Sequence, residues 1–208
     1  MNIEIERKIL TRQRRTMDPC PKCALHRERC ICALIPRLEL KTRLSLIIHA
    51  KELKRTTNTG RLAIHALVNS AMHVRGEPGG PTDFSHLLAP EYESYVLFPS
   101  DDALELESLK PTRPIQLIVA DGNWRQAAKV NQRQPELGHL PRVKISQENL
   151  ATQHLRKEHF AEGLSTLEAI AIAFGVVEGE SVGKALHAVY RAKLKATLEG
   201  RGLTLLDA

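Results

Sequence analysis

The sequence reads as an α/β domain with a mostly parallel sheet. Short runs dominated by β-branched and apolar residues alternate with segments whose apolar residues recur at helical spacing, and that alternation is the signature of strands joined by helical crossovers. At 208 residues, with 42% hydrophobic and 26% charged residues, the chain is long enough to bury one sizeable core and too balanced in charge for a disordered segment.

The elements follow in chain order. Met1 to Pro36 has no clear strand pattern and holds all four cysteines, so the expected division is an N-terminal basic, cysteine-bearing module over 1–40 and the α/β domain over 41–208. Arg43 to Ala50 (RLSLIIHA) is the first predicted strand. Arg61 to Val74 is predicted as a helix because Ile64, Leu67, Val68, Ala71 and Met72 follow its period, with Asn58 or Thr59 capping the start and Gly76 the end. Arg75 to Pro90 concentrates Gly and Pro and reads as a linker or lid. Tyr95 to Phe98 is a strand, and a helix is expected after Ser100, where Asp101 and Asp102 favour a positive helix end. Ile115 to Ala120 is the strongest strand. A helix starting near Asn123 must stop before Pro135, and Arg142 to Ile145 is a further strand. Two last helices are expected over Ser165 to Val177 and Val182 to Glu199. In the second, Leu186, Val189, Tyr190, Leu194 and Leu198 form one face and Gly200 closes it.

Charge is distributed unevenly. Residues 1–60 carry 14 basic and 6 acidic side chains, 61–122 carry 4 and 9, and 123–208 carry 12 and 9. Positive ends suit a polyanion such as nucleic acid, although mild basicity is also common in proteins that bind none. No apolar run approaches the roughly 18 residues of a membrane span. Charges scattered through the first 15 residues do not fit a secretory leader, which points to the cytoplasm. Nucleotide-binding glycine fingerprints, a phosphate-binding P-loop, HExxH and the Gly-x-Ser-x-Gly elbow are missing from the sequence, which disfavours the enzyme classes built on them.

Cys20-x-x-Cys23 and Cys30-x-Cys32 place four thiols inside thirteen residues. That spacing suits a closed tetrahedral zinc site whose metal supplies folding energy. Two disulfides, an iron-sulfur cluster and coincidence are the competing readings, and His26 is a possible substitute ligand.

Asp121-Gly122-Asn123-Trp124 follows the strongest strand. Asn123 with Gln126 resembles a capping box and Gly122 permits a tight turn, which leaves Asp121 and the only tryptophan unexplained. A carboxylate at a strand's carboxyl end can accept a substrate proton or hold a cationic ligand. Ser165-Thr166-Leu167-Glu168 fits a capping box. Thr56 to Gly60 reads as a polar turn that can also bind a phosphate or small polar ligand.

Together, the cysteine pattern, Thr57-Asn58-Thr59-Gly60, Pro99-Ser100-x-Asp102-Ala103, Asp121-Gly122-Asn123-Trp124 and Leu164-Ser165-Thr166-x-Glu168-Ala169 resemble the DTW-domain family of tRNA-uridine aminocarboxypropyltransferases. The resemblance covers about Cys20 to Val177 and implies a knotted fold related to the SPOUT methyltransferases. It implies transfer of the 3-amino-3-carboxypropyl group of S-adenosylmethionine to N3 of a tRNA uridine, releasing methylthioadenosine. A SPOUT-like RNA methyltransferase and a zinc-containing RNA-binding protein without activity are the alternatives. By the same resemblance, Asp121 is the candidate base or a residue that holds the ligand's ammonium, and Trp124 either stacks on a base or packs at the helix start. Ser100, Leu164, Ser165 and Thr166 would join Asp121 in binding S-adenosylmethionine. Cys20, Cys23, Cys30 and Cys32 would hold zinc. Arg12, Arg14, Arg15, Arg125, Lys129, Arg156 and Lys157 would meet tRNA phosphates. The family usually has Thr where this chain has Asn123; both cap helices, but a hydroxyl role there is lost.

Overall fold

A computed structural model describes residues 18–77, 83–122, 124–146, 155 and 164–205. Its centre is a parallel sheet of six strands: β1 (Arg43–His49), β2 (Ser70–Arg75), β3 (Glu93–Leu97), β4 (Leu104–Glu105), β5 (Ile115–Asp121) and β6 (Arg142–Lys144). Their spatial order is β2-β1-β5-β3-β6-β4, and every pairing is parallel. β1 and β5 are neighbouring interior strands. Both are apolar through their middles because helices cover both faces, as parallel sheets require.

Among the described residues, five helices do the covering: α1 (Gly60–Ala66), α2 (Trp124–Arg133), α3 (Pro135–Gly138), α4 (Thr166–Glu178) and α5 (Glu180–Glu199). On one face, Leu44, Leu46, Leu117 and Val119 pack with Leu62 and Ala66 of α1, Ile170 and Phe174 of α4, and Leu186, Val189 and Tyr190 of α5. On the other, Ile47, Val96 and Ile118 pack with Val130 of α2, Leu137 of α3, Phe84 and Leu87. The result is three layers with the sheet in the middle. Gly179 joins α4 to α5 at φ 106°, a conformation that favours glycine.

Strand predictions over 43–50, 95–98, 115–120 and 142–145 correspond to β1, β3, β5 and β6, and the helices expected from near Asn123 and from Ser165 and Val182 correspond to α2, α4 and α5. Two helix expectations are corrected. The one over Arg61 to Val74 ends at Ala66, and Ser70–Arg75 is an edge strand beside β1. The buried face of α1 is Leu62, Ala63 and Ala66, whereas Val68 and Met72 of the supposed stripe are exposed. Pairing with the open edge of β1 prevails over a short local period. After Ser100 the chain makes a turn, then β4 and a 3-10 turn at Leu106–Ser108 that inserts buried Leu106 into the core. The region Arg75 to Pro90 is not simply a linker, because Phe84 and Leu87 are fully buried; residues 78–82 lie outside the described part.

The described part of the N-terminal segment shares the main core. Cys23, Leu25 and Ile31 pack into the same cluster as α5, and Lys193 of α5, fully buried, donates to the Cys23 carbonyl.

A further feature sets the topology. β6 lies between β3 and β4, although β3 and β4 are joined by residues 98–103 alone. Leu97 and Leu104 both pair with Val143, from opposite sides. The 98–103 connection therefore crosses β6.

Candidate active site and metal centre

Parallel strands deliver their following loops to one edge of the sheet, which is where ligands of α/β domains gather. Asp121 ends β5 there, between Ile48 of β1 and the chain leaving β3, and its side chain is only 6% exposed. Two other loops meet its carboxylate. Thr166, the first residue of α4, donates from Oγ1 to Asp121 Oδ1 at 2.6 Å, and Asn58 donates from Nδ2 to Oδ2. Hydrogen bonds to both oxygens fix its orientation.

The surroundings hold these donors in place. Asn58 and Thr59 are buried; Asn58 Oδ1 accepts from the Arg61 amide at 3.3 Å, so Asn58 also serves the start of α1. Thr59 Oγ1 accepts from the Leu167 amide at 3.2 Å and so binds this loop to α4. The predicted capping box is complete, with Ser165 accepting from the Glu168 amide and Glu168 accepting from the Ser165 amide. Gly60 has no room for a side chain: an added Cβ would lie 2.7 Å from Asp121 Oδ2. Leu164 is half-buried beside the cap.

Ser100 belongs to the loop after β3, on the same edge. It donates to Asp102 Oδ1 at 2.7 Å rather than capping a helix, and Asp102 also faces Arg142 at 3.6 Å. Trp124 opens α2 and Arg125 follows it, while Lys129 in the same helix is exposed. Asn123, Arg12, Arg14, Arg15, Arg156 and Lys157 lie outside the described residues. Sequence reasoning left Asn58 and Gly60 as parts of a turn and passed over Arg61; the Thr56 to Gly60 cluster was the available signal.

The four cysteines form a second centre. All are free thiols, which disposes of the disulfide reading, and their sulfurs lie within 4.8 Å of one another. Three close pairs measure 3.5 Å for Cys20 and Cys32, 3.6 Å for Cys30 and Cys20, and 3.7 Å for Cys23 and Cys30. A tetrahedron with metal-sulfur bonds of about 2.3 Å has sulfur-sulfur edges of about 3.8 Å, so the cluster could hold one metal ion. The Cys23 amide directed at the Cys20 sulfur lowers that thiol to about 6. Burial raises Cys23 and Cys32, and a bound cation would reverse that by stabilising their thiolates. His26 is not in the cluster; its ring accepts from the Glu28 amide at 3.3 Å.

Comparison with known proteins places these centres in context. The chain is 26% identical over 172 residues to tRNA-uridine aminocarboxypropyltransferase 2 of Macaca fascicularis, covering 76% of this chain and 56% of that protein. The protein of the same name from Drosophila melanogaster is 24% identical over 189 residues, covering 85% and 75%. The one from Mus musculus is 26% identical over 168 residues, covering 76% and 56%. The chain thus spans little more than half the length of the two mammalian relatives. No solved structure matches it. The family model of the DTW domain matches residues 17–198, nearly the whole of the described fold and both of its centres, and the chain belongs to the DTW domain family.

Proposed function

We propose that this chain transfers the 3-amino-3-carboxypropyl group of S-adenosylmethionine to N3 of a tRNA uridine, releasing methylthioadenosine. The names of its relatives supply the reaction class. The observation that carries the reading to this chain is the convergence of Asn58, Asp121 and Thr166 from three separate loops on one buried carboxylate.

S-adenosylmethionine presents three carbons on one sulfonium, and the one held in line with the nucleophile reacts, so the protein's main work is positioning. In this reading Ser100, Asp121, Leu164, Ser165 and Thr166 bind the donor. Asp121 receives the N3 proton of uridine as the N3–carbon bond forms, while the carbon–sulfur bond breaks and its electron pair leaves with sulfur as the neutral thioether. Asn58 and Thr166 hold the carboxylate in a fixed orientation for that transfer. If Asp121 instead holds the donor's ammonium, the same two hydrogen bonds orient it. Trp124 is placed at the helix start after Asp121, where stacking on uracil or adenine is the proposed role.

Zinc is the metal proposed for the four cysteines, as a structural ion; the gathering of four free thiols within 4.8 Å of one another supports it. The metal segment over 1–40 and the catalytic domain over 41–208 then divide the labour, and a reducing cytoplasm suits four free thiols. Arg12, Arg14, Arg15, Arg125, Lys129, Arg156 and Lys157 are proposed to meet tRNA phosphates. A SPOUT-type knot is part of the same reading, supported by the 98–103 connection that crosses β6. Among the described residues no helix is long and apolar enough to cross a membrane.

Purified protein incubated with S-adenosylmethionine and tRNA tests the reading by its product. Methylthioadenosine with aminocarboxypropyl-uridine is expected. S-adenosylhomocysteine would make the protein a methyltransferase, and neither product, with tRNA bound, would leave an RNA-binding protein.

A further inference from the structure

Arg61 is the residue next to the site whose chemistry the mechanism leaves unused. It follows Gly60, whose Cα abuts the Asp121 carboxylate, and its own amide bonds to Asn58, which also holds Asp121. The guanidinium is drawn towards the loop after β1, where Nη2 donates to the Leu53 carbonyl. Its Nε is buried and has no hydrogen-bond partner among the described residues.

A buried donor left unmade is costly, and more so on a charged group. Burial works against the charge of Arg61, and the nearby Asp121 is the main group that favours it. The unpartnered Nε–H is matched in charge by a carboxylate oxygen, which can accept a charge-assisted hydrogen bond from it. The donor proposed above carries one carboxylate, on the same three-carbon group that is transferred.

We propose that Arg61 is the carboxylate-binding residue of the site, taking the α-carboxylate of the donor's aminocarboxypropyl group. The inference rests on S-adenosylmethionine as donor and goes beyond it by assigning the specificity. The reacting carbon is two bonds from the α-carbon. Fixing the carboxylate therefore limits where that carbon can point, whereas the methyl group on the same sulfur receives no such restraint. Arg61 thus helps to select the group that moves.

Calorimetric binding to the purified full chain tests this with three ligands: S-adenosylmethionine, its decarboxylated form and methylthioadenosine. The unaltered protein should bind S-adenosylmethionine about 10-fold or more tighter than the decarboxylated form, as expected for a charge-assisted pair. Arg61→Gln should erase that preference by weakening S-adenosylmethionine alone, with the other two ligands bound as before. Arg61→Lys, which keeps charge but not the Nε–H donor, should restore part of it. Equal affinity of the unaltered protein for the carboxylated and decarboxylated ligands overturns the inference without recourse to any variant. Parallel weakening of all three ligands in both variants also overturns it, because Arg61 would then only support the Leu53 loop. A protein that binds neither S-adenosylmethionine nor methylthioadenosine overturns the donor reading itself, and this inference with it.

Discussion

Asp121 is placed by its strand and oriented by its neighbours, and the two contributions differ in how far a sequence reveals them. Its position at the end of the strongest strand was legible, since a run such as Ile115 to Ala120 marks a central strand and the next residue must emerge at the ligand edge. Its partners were not. Asn58 and Thr166 lie 63 and 45 positions away, and in one dimension each looks like an ordinary helix start, which each also is. Gly60 looked like a turn residue, yet its role is to let two backbones close on a carboxylate. Replacing Asp121 with Asn keeps the size and removes the basic charge, so single-turnover transfer at saturating donor should fall by roughly 10²-fold or more if Asp121 accepts the proton. Donor affinity should change much less, and raising pH should partly restore the rate by ionising the uridine. A near-normal rate removes Asp121 as the base; lost affinity alongside lost rate assigns it to the ammonium. Gly60→Ala places a methyl group 2.7 Å from the same carboxylate oxygen and should reduce turnover while leaving metal content unchanged. Full activity in that variant would show that the approach is not needed.

At the level of elements, long helices with distinct faces were readable and short elements under tertiary control were not. α5 buries Leu186, Val189, Tyr190, Leu194 and Leu198, the stripe expected from its spacing. β2 escaped notice because six residues that fit a helical period also fit the free edge of β1, and only the partner strand decides between them. β4 is two residues long, too short for any pattern. Packing of α4 on α5 makes a sharp prediction. Gly183 faces Gly175 so closely that an added Cβ would lie 2.9 Å from the Gly175 Cα and 3.0 Å from the Ala171 carbonyl oxygen. Gly183→Ala forces the helices apart and should cost about 1–3 kcal/mol in urea unfolding, despite alanine's better helix propensity; unchanged or raised stability would show that the helices can shift freely. On β2, His73 meets His86 at 3.2 Å between ring nitrogens, and burial with the neighbouring cations holds it at about 4. The folded pKa is below the unfolded value near 6.5, so the unfolded chain binds more protons between those values. Stability contributed by neutral His73 is therefore present above pH 6.5 and lost as pH falls towards 4. His73→Gln should flatten the pH dependence of unfolding across that window, and an unchanged slope would place the acid sensitivity in other groups.

Over the whole molecule, the cysteine cluster and the sheet that carries Asp121 share one core. Thiol spacing alone pointed to the four-cysteine cluster that could hold a metal, because four sulfurs within thirteen residues need no tertiary information. The same spacing could not reveal that Cys23, Leu25 and Ile31 share a core with α5, since those contacts span more than 150 positions. If zinc binds as proposed, one ion per chain should be found by metal analysis, and Cys23→Ser should lose most of it. Because the cysteine segment rests on the main core, removing the metal should lower the melting temperature of the entire domain in a single transition. A separate low-temperature transition, with the sheet unaffected, would show an independent module instead. The proposed recognition of tRNA belongs to this scale too. Residues 1–60 carry a net +8 from 14 basic and 6 acidic side chains, and each phosphate they neutralise releases counterions, so affinity should fall steeply as salt rises. Arg12, Arg14 and Arg15 changed together to Ala should reduce the slope of log affinity against log salt by up to about 3 if all three contact phosphates. The measurement separates charge from folding, because a variant that only damages structure loses affinity at every salt concentration without altering the slope in proportion. An unchanged slope would move the RNA surface away from the N-terminus, leaving Lys129 and the other basic residues after Asp121 as the next set to alter.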